Sequence, residues 1–262
     1  MILSMSWYRK IGEKMIEKKI YYVWIGNAKK PDIFYKCYNS WKKNLPGFEI
    51  IEINEKNFDM KKHLEKNSFF RECHRRKLWA YMSDYMRVHF MYENSGVYVD
   101  TDMEIIKDIS PLIEDNEREF FIGYEDARHV SAGIFGCKKN SSVLKDMIKF
   151  YEKDIWNKPL WTIPKIFTYI FEKKYGLTEK RENKLENGKI MIYPKEYFYP
   201  YGHKENYSPE CIGENTYGIH WWNESWGNLR TRLFVESKHL RGIRKLIKQM
   251  RITARYYLKE KR

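Results

Sequence analysis

Short apolar runs alternate with longer amphipathic stretches along most of this chain, a pattern typical of alternating strands and helices. Lys19–Ile25 is a nearly continuous apolar run, and Phe48–Asn54 alternates with the period of 2 that indicates a half-buried strand. With the later runs, the pattern predicts strands at Lys19–Ile25, Phe48–Asn54, Val97–Met103, Phe120–Gly123, Gly133–Cys137, Ile190–Tyr193 and Tyr217–Trp222.

Helical patterns lie between several of these strands. Phe69–Asn94 contains neither glycine nor proline, and its apolar residues step by 3 and 4 positions, as on one face of a helix. Further helices are predicted at Pro31–Trp41, Ser141–Trp156 and Ile163–Tyr175, and Lys173–Lys189 is predicted to be a loop or insertion because it is rich in glycine and charge. This alternation predicts an α/β fold whose mainly parallel sheet is covered by helices on both faces.

A pair of aspartates, Asp100 and Asp102, ends the strand predicted at Val97–Met103. Because strand side chains alternate between faces, we expect Tyr98, Asp100 and Asp102 on the same face. Aspartate is depleted in strands and is rarely buried unless it is paired or bound to a metal. Two carboxylates at this spacing suit Mg²⁺ or Mn²⁺ carrying the phosphates of a nucleotide. A surface loop without a ligand is the alternative interpretation of an isolated Asp-x-Asp sequence.

A second polar pair lies on the long helix that precedes this strand. Asp84 and Arg87 are three positions apart and project to the same side of the helix, although a solvated surface ion pair has the same spacing. In α/β sheets, ligands bind outside the C-terminal ends of the strands. We therefore expect Trp24–Asn27 and the pair Asp100 and Asp102 to converge on one crevice.

Several segments of the chain carry motifs in a defined order. Tyr22–Gly26 comes first, Ala80–Arg87 and Gly96–Asp102 follow, and His220–Trp226 lies near the C-terminus. Together they resemble glycosyltransferase family 32, whose sugar-binding DXD pattern also occurs in clostridial glucosylating toxins and yeast Golgi mannosyltransferases. The resemblance implies a GT-A fold, which is a Rossmann-like, mixed and mainly parallel α/β sheet flanked by helices. It also implies a nucleotide-sugar donor and a divalent cofactor, Mn²⁺ or Mg²⁺.

The resemblance implies roles for individual residues. Those implied in catalysis are Asp84, Arg87, Asp100 and Asp102; those implied in metal binding are Asp102, Asp100 and His220; those implied in binding the nucleotide sugar are Trp24, Ile25, Tyr98, Ser131, Ser225 and Trp226. Asp102 would coordinate the metal and bridge it to the diphosphate, whereas Asp100 would contact the metal indirectly or hold the ribose and the sugar. Asp84 and Arg87 would hydrogen-bond hydroxyls of the donor sugar.

The remaining roles leave alternatives open. Trp24 would stack on the nucleobase, or it would cap its strand as a core residue. His220 or Ser225 would complete the metal shell, although a lone histidine is often structural. Ser131 stands where relatives often carry an asparagine beside the sugar, which leaves the identity of that sugar open. The family retains the anomeric configuration, but no residue here stands out as a nucleophile, which favours a front-face substitution.

The net charge of +14 is concentrated at the C-terminal end. Ser237–Arg262 contains ten lysines or arginines and one acidic residue. Its apolar residues step along one helical face, at Leu240, Ile243, Ile247, Met250, Ala254 and Tyr257. We therefore expect the glycosyltransferase domain that the resemblance implies at 1–236, and the pattern predicts a basic amphipathic helix at 237–262 that binds anionic lipid. The alternatives are a helix packed on the domain with solvated charges, and nucleic-acid binding, which no motif supports.

These observations predict a metal-dependent, retaining hexosyltransferase that transfers a sugar, favouring a UDP-sugar donor, to a lipid-linked oligosaccharide in bacterial capsule or lipopolysaccharide synthesis. The four cysteines are far apart, which indicates free thiols of a cytoplasmic protein, and the basic helix predicts peripheral association with the inner face of the plasma membrane. No apolar run is long enough to cross a bilayer. Alternative interpretations are a toxin-like effector that glycosylates a protein, a basic binding module with a structural Asp-x-Asp, and a metal-dependent phosphohydrolase.

Overall fold

A seven-stranded mixed sheet forms the centre of the protein, in a computed structural model that describes residues 15–178, 180, 183–223 and 229–260. Its strands are β1 Lys19–Val23, β2 Glu49–Ile53, β3 Gly96–Val99, β5 Phe120–Tyr124, β6 Val130–Cys137, β7 Lys184–Leu185 and β8 Ile190–Tyr193, whereas β4 Met103–Ile105 and β9 Gly218–His220 form a separate two-stranded sheet. The order in the large sheet is β2-β1-β3-β6-β5-β8-β7. Five of its strands point in one direction, and β6 and β7 run opposite to them.

Helices flank this sheet and bury both of its faces. They are α1 Asp32–Asn44, α2 Met60–Lys66, α3 Ser68–Arg75, α4 Trp79–Glu93, α5 Ser110–Ile113, α6 Ser142–Lys149, α7 Ile163–Lys174, α8 Leu229–Val235 and α9 Gly242–Glu260, with a π-helical turn, Phe150–Asp154, directly after α6. Along β3 the side chains alternate between two cores: Val97 and Val99 pack in the core that contains Trp41 of α1, and Tyr98 packs in the core that contains Tyr85 of α4. The predicted fold class, a mainly parallel α/β sheet flanked by helices, is confirmed.

The prediction of a single helix over Phe69–Asn94 is wrong, because this segment forms two helices, α3 and α4. Lys77 adopts a left-handed backbone conformation with φ of 57°. The N–H of Lys77 donates to the carbonyl of His74 at 3.0 Å, and the N–H of Leu78 donates to that of Cys73 at 2.9 Å. These two bonds form the Schellman arrangement that ends many helices, usually with glycine at the left-handed position. Because lysine rather than glycine occupies this position, the sequence pattern does not reveal that the helix ends here.

The strand predicted at Val97–Met103 is also wrong in its extent. β3 ends at Val99, and the N–H of Met103 donates to the carbonyl of Asp100 at 3.0 Å, which closes a turn over Asp100–Asp102. The chain then continues as β4, which pairs antiparallel with β9 in the small sheet. The two aspartates therefore lie on a turn between two sheets rather than on one strand face.

All four cysteines are free thiols, as predicted, and Cys37, Cys73 and Cys137 are buried. Among the helices of the described ranges, none has both the length and the apolar composition that crossing a bilayer requires.

A pair of histidines, the buried His63 and the half-buried His89, lies between α2 and α4. The rings of His63 and His89 are 4.7 Å apart, and His63 Nδ1 lies 3.0 Å from the hydroxyl of Tyr85. Burial lowers the pKa of both imidazoles, and it lowers the pKa of His89 to about 3, with a smaller contribution from His63. The folded protein therefore keeps His89 neutral at pH values where an exposed histidine would be protonated.

This burial makes the stability of the protein sensitive to acid. The unfolded chain binds a proton at His89 near pH 6.5, whereas the folded chain excludes it until about pH 3. The contribution of neutral His89 to the free energy of unfolding is therefore fully present above pH 6.5 and is lost as the pH falls. We expect His89 to reduce the free energy of unfolding by on the order of 1–2 kcal/mol between pH 7 and pH 5. His89→Phe should flatten this part of the pH dependence in urea titrations. The control His74→Gln, at an exposed position, should leave it unchanged, and equal slopes for all three proteins would contradict the assignment.

Candidate active site

The parallel strands β1 and β3 end side by side at one edge of the large sheet. Their register pairs Tyr21 with Tyr98, so Trp24 and Asp100 leave the sheet next to each other. The N–H of Asp100 donates to the carbonyl of Gly133 at 2.7 Å, which fixes the start of the aspartate turn against β6. The segments after β1 and β3 thus meet at the C-terminal edge of the sheet, where α/β folds bind ligands.

The guanidinium of Arg87 connects α4 to the aspartate turn. Its Nη2 lies 3.0 Å from Asp84 Oδ1, and its Nη1 lies 3.0 Å from Asp100 Oδ1. Nη1 also donates to the carbonyl of Ala132 at 3.0 Å. The Tyr98 hydroxyl donates to Asp100 Oδ1 at 2.9 Å, and the Tyr98 ring centre lies 4.4 Å from the guanidinium carbon. The structure therefore joins four of the predicted site residues in one network around the buried guanidinium.

Burial sets the protonation behaviour of this network. It raises the pKa of Asp84 to about 7, against the opposing effect of Arg87 and with an added contribution from Asp100. Burial likewise raises the pKa of Asp100, although Arg87 favours the ionised form. For Arg87 itself, burial disfavours the charge, but the surrounding Asp100, Tyr98 and Asp84 outweigh it and raise the pKa. One buried cation is thus shared by two carboxylates.

The small sheet positions Asp102 against His220. In the register of β4 and β9, Met103 pairs with His220, and His220 Nε2 lies 3.2 Å from Asp102 Oδ1. The N–H of Asn223 donates to Asp102 Oδ2 at 2.8 Å. Burial opposes ionisation of Asp102, but His220 and the backbone hydrogen bond keep its pKa below the ordinary value. Burial would lower the pKa of His220, whereas Asp102 raises it above the ordinary value.

Asp100, Asp102 and His220 form a set of ligands that fits a divalent cation. Their candidate ligand atoms all lie within 4.8 Å of one another. Carboxylate oxygens with one imidazole nitrogen suit Mn²⁺, and carboxylates alone suit Mg²⁺. His220 Nδ1 is buried and has no hydrogen-bond partner within the part of the chain that the structure describes. The imidazole is therefore oriented through Nε2, the atom that faces Asp102.

The first residues of β6 form the floor of the site. A Cβ atom at Gly133 would lie 2.9 Å from the hydroxyl of Tyr199 and 3.5 Å from Asp100 Oδ2, so a side chain here would intrude between the two. The Tyr199 hydroxyl accepts from the N–H of Ile134 at 3.2 Å. Ser131 is buried two positions before Gly133, and it therefore faces the same side of the strand. Tyr199 was missed by the sequence analysis because nothing in its local pattern distinguishes it from a core tyrosine.

Trp24 lies beside a cleft at the ends of β1 and β2. The cleft has a volume of about 500 Å³ and is lined by Trp24, Gly26, Asn27, Glu52, Asn54, Glu55 and Lys56. The indole N–H of Trp24 donates to the carbonyl of Ala28 at 3.2 Å, and its ring is half-buried. Trp79, at the start of α4, was missed by the sequence analysis: its indole lies 3.7 Å from the Cβ position of Gly26, and the residue is 40% exposed.

Two of the residues expected to bind the nucleotide sugar are buried. Ile25 is 8% exposed and belongs to the core, so contact with a ligand from this position would involve its backbone. Tyr98 is 1% exposed, and its hydroxyl is engaged by Asp100. Its position indicates that it supports Asp100 and Arg87 from beneath.

His220 and Trp222 are described residues of the C-terminal motif that lie at the site. Ser225 and Trp226 lie outside the described residues. Trp222, just before them, has its ring centre 4.2 Å from that of His220 and 5.9 Å from that of Tyr199. Trp222 therefore forms a wall beside the Asp102–His220 pair, a contact that the sequence pattern did not reveal.

Another group with metal-ligating side chains, Glu125, Asp126 and His129, lies in the hairpin between β5 and β6. Asp126 Oδ1 accepts from the N–H groups of Arg128 and His129 at 2.6 and 2.7 Å, and Asp126 Oδ2 lies 3.0 Å from His129 Nδ1. These bonds are those of a local turn, so they explain Asp126 and His129 without a ligand.

Because Arg87 shares its charge with two carboxylates, its removal should destabilise the fold. Arg87→Met would leave the half-buried carboxylates of Asp84 and Asp100 without a cation, and we expect a loss of up to about 3–5 kcal/mol in the free energy of unfolding. Arg75→Met is the matched control, because Arg75 pairs with Glu72 at the same i,i+3 spacing but is 64% exposed. The control should change the free energy of unfolding little, because exposed ion pairs are screened by solvent. Similar losses for both variants in urea titrations would contradict the assigned role of Arg87.

Comparison with known proteins gives a family signature for this site. Residues 31–119 match the family model described as a glycosyltransferase sugar-binding region containing a DXD motif. Two curated relatives, the lactosylceramide 4-alpha-galactosyltransferases of Rattus norvegicus and Pongo pygmaeus, are each 26% identical over 157 residues, or 55% of this chain. The match covers 41% of the rat protein and 67% of the orangutan protein, so this chain spans less than half the length of the rat relative.

Two solved structures also resemble the chain. The PaToxG glycosyltransferase is 14% identical with a TM-score of 0.49, over 68% of this chain and 79% of that one. A glycosyltransferase involved in the glycosylation of the major capsid of PBCV-1 is 13% identical with a TM-score of 0.43, over 79% of this chain and 94% of that one. From the family match, residues 31–119, which include Asp84, Arg87, Asp100 and Asp102, carry a glycosyltransferase sugar-binding region with a DXD motif.

Proposed function

We propose that this protein is a metal-dependent, retaining GT-A glycosyltransferase of family 32 that uses a UDP-sugar. The observation that carries the proposal is that two groups of polar side chains lie next to each other at one edge of the sheet. Arg87 links Asp84 to Asp100, and Asp102 faces His220 only two residues further along the turn. The first group suits a sugar, and the second suits a metal and a diphosphate.

The second group supplies the ligands for the cofactor. Asp102 and His220 would hold Mn²⁺ or Mg²⁺, with Asp100 at its side through the carboxylate oxygen that Arg87 and Tyr98 do not engage. When bound, such a cation neutralises the diphosphate as the bond between sugar and phosphate breaks. The low pKa of Asp102 keeps this carboxylate ionised and ready to bind the cation at neutral pH.

The first group would bind the transferred sugar. Charged groups form stronger hydrogen bonds to hydroxyls than neutral groups do, and the Asp84 carboxylate provides an acceptor that Arg87 holds in a fixed position. The buried Tyr98 and the carbonyl of Ala132 hold Arg87 and Asp100 in place. At the other side of the turn, Trp24 would stack on the nucleobase, with the exposed indole of Trp79 close by.

Retention would proceed by front-face substitution. The bond between C1 and the phosphate oxygen breaks with its electron pair on the diphosphate, the acceptor oxygen bonds to C1 from the same face, and the acceptor proton leaves on the diphosphate. In this scheme the protein orients the sugar and needs no nucleophile of its own. NMR of the product should show the anomeric configuration of the donor; an inverted product or a trapped glycosyl-enzyme would exclude the scheme.

Replacing Asp102 tests the proposed activity. With Mn²⁺ and a panel of UDP-sugars, the wild-type protein should slowly release UDP by hydrolysis of the donor, and Asp102→Asn should reduce this rate at least about 100-fold, because the neutral amide is a poor metal ligand. Asp32→Asn is the control, since Asp32 is exposed in the first turn of α1. Normal turnover by Asp102→Asn would disprove the central assignment, as would the absence of a Mn²⁺-dependent thermal shift with UDP in the wild-type protein.

The acceptor is proposed to be a lipid-linked oligosaccharide of bacterial capsule or lipopolysaccharide synthesis, used at the inner face of the plasma membrane. The names of the curated relatives describe galactosyl transfer to lactosylceramide, which is itself a sugar carried on a lipid. The orientation of α9 supports a membrane-bound acceptor. Ile252 is fully buried against the domain, and Gln249 and Arg255 bond to Ser237 and Glu236 at 3.3 and 3.2 Å.

The apolar side of α9 points away from this contact. The large apolar residues that it exposes, on the side of the helix opposite Ile252, are Ile243, Leu246, Ile247, Met250, Tyr257 and Leu258. Arg244, Lys248, Arg251 and Arg255 lie beside them on the same helix. An outward apolar face bordered by cations is complementary to an anionic phospholipid surface. Each basic residue near such a surface contributes about 1 kcal/mol to the free energy of membrane binding.

Vesicle flotation tests the role of this face. The double variant Ile247→Glu with Met250→Glu should lose binding to vesicles that contain phosphatidylglycerol, because it places two carboxylates against the lipid. The control, Asn116→Glu with Asn215→Glu, adds the same charge at exposed positions elsewhere and should still float. Equal flotation of the two variants would contradict membrane docking through α9.

A further inference from the structure

One carboxylate at this edge of the sheet has no role in the network above. Glu125 directly follows β5, and its N–H donates to the carbonyl of His129 at 2.9 Å, which closes the hairpin to β6. A bulge between Ile122 and Gly123 shifts the register, so that Gly123 pairs with Ser131. The extra residues of this bulge lie on β6, between Ser131 and Phe135, whereas β5 keeps its alternation, so Glu125 lies on the same face of β5 as Gly123.

The side chains around Glu125 show that it faces the site. A Cβ atom at Gly123 would lie 3.4 Å from the Tyr199 ring, and one at Gly133 would lie 2.9 Å from the Tyr199 hydroxyl, so both glycines face Tyr199. Glu125 is two positions after Gly123, and Ser131 is two positions before Gly133, so they share this face. Two residues span at most about 7 Å of backbone, so Ser131 lies within the reach of one sugar ring from Gly133, whose carbonyl accepts from the N–H of Asp100.

The electrostatic contacts agree with this placement. Burial raises the pKa of Glu125, and a hydrogen bond from the Ser131 side chain partly offsets the rise. The Glu125 carboxylate in turn adds to the elevated pKa of His220, after the larger effect of Asp102, and to that of Tyr199. Among the described residues, no lysine or arginine forms an ion pair with Glu125. A half-buried carboxylate held by one hydroxyl at the edge of a binding crevice retains capacity to accept hydrogen bonds.

We propose that Glu125 and Ser131 form a second sugar-contacting pair, in which the Glu125 carboxylate accepts hydrogen bonds from hydroxyls of the donor hexose. This inference rests on the proposed function and deepens it, because it assigns a residue that helps to select the transferred sugar. Asp84 and Arg87 approach from the α4 side of β6, where Arg87 contacts the carbonyl of Ala132. Glu125 and Ser131 approach from the Tyr199 side, so the sugar is held from both sides of the strand.

Binding of UDP and of UDP-sugars to Glu125 variants separates this role from the others. UDP lacks the sugar, so Glu125→Ala should leave the Kd of UDP in Mn²⁺ within about 2-fold, while it weakens binding of the preferred UDP-sugar about 10-fold or more by isothermal titration calorimetry. Glu125→Gln should show a smaller loss, because the amide oxygen still accepts a hydrogen bond. Glu119→Gln is the control at the opposite end of β5, where Glu119 pairs with Lys189 on the surface.

The outcomes distinguish this inference from the proposed function. If the wild-type protein binds neither UDP nor any of UDP-glucose, UDP-galactose and UDP-N-acetylglucosamine in Mn²⁺, the proposed function fails. If the wild-type protein binds them and Glu125→Ala changes the Kd of UDP and UDP-sugar by the same factor, the proposed function stands and the sugar-contacting role of Glu125 is wrong. A selective loss of UDP-sugar binding, with the unliganded variant unfolding at the wild-type temperature, supports the proposal.

Discussion

The site depends on the buried guanidinium of Arg87, which holds the carboxylates of Asp84 and Asp100 together at 3.0 Å each. Without it, two half-buried carboxylates would repel each other across the junction between α4 and the aspartate turn. Arginine suits this position because its planar fork serves several acceptors at once and keeps its charge when buried. The ring of Tyr98 beneath it and the carbonyl of Ala132 leave the fork little freedom to move. The geometry of the sugar-binding region thus follows from one cation.

The two aspartates of the turn are held in different environments, and their chemistry separates accordingly. Asp100 ends a buried strand and is engaged by Arg87 and Tyr98, and burial raises its pKa. Asp102 is reached by an imidazole and a backbone N–H from the small sheet, which together lower its pKa. The turn between two sheets makes this separation possible, since on one continuous strand face the two carboxylates would share a single environment.

Much of the architecture could be predicted from local pattern. The order of strands and helices, the i,i+3 spacing of Asp84 and Arg87, and the position of the aspartates after a buried strand all depend on periodicities of 2 and 3.6 residues. The break at Lys77 escaped prediction because its left-handed backbone lacks the usual glycine, and the end of β3 at Val99 escaped because Met103 and Ile105 are apolar but belong to another sheet. Local hydrophobicity cannot tell which sheet a strand will join.

The sequence by itself determined the elements, the fold class and the residue types of the polar centre, because propensity and amphipathic period act between near neighbours in the chain. Tertiary structure alone decided which distant residues complete that centre. His220 reaches Asp102 across 118 positions because β9 pairs with β4. Glu125 and Tyr199 approach the site on the face of Gly123 and Gly133, and Trp79 approaches it from the start of α4. The outward apolar face of α9 was likewise decided by packing, since Ile252 is the one described side chain of this helix that is buried. Contacts of this kind depend on how whole elements pack, and no local period encodes them.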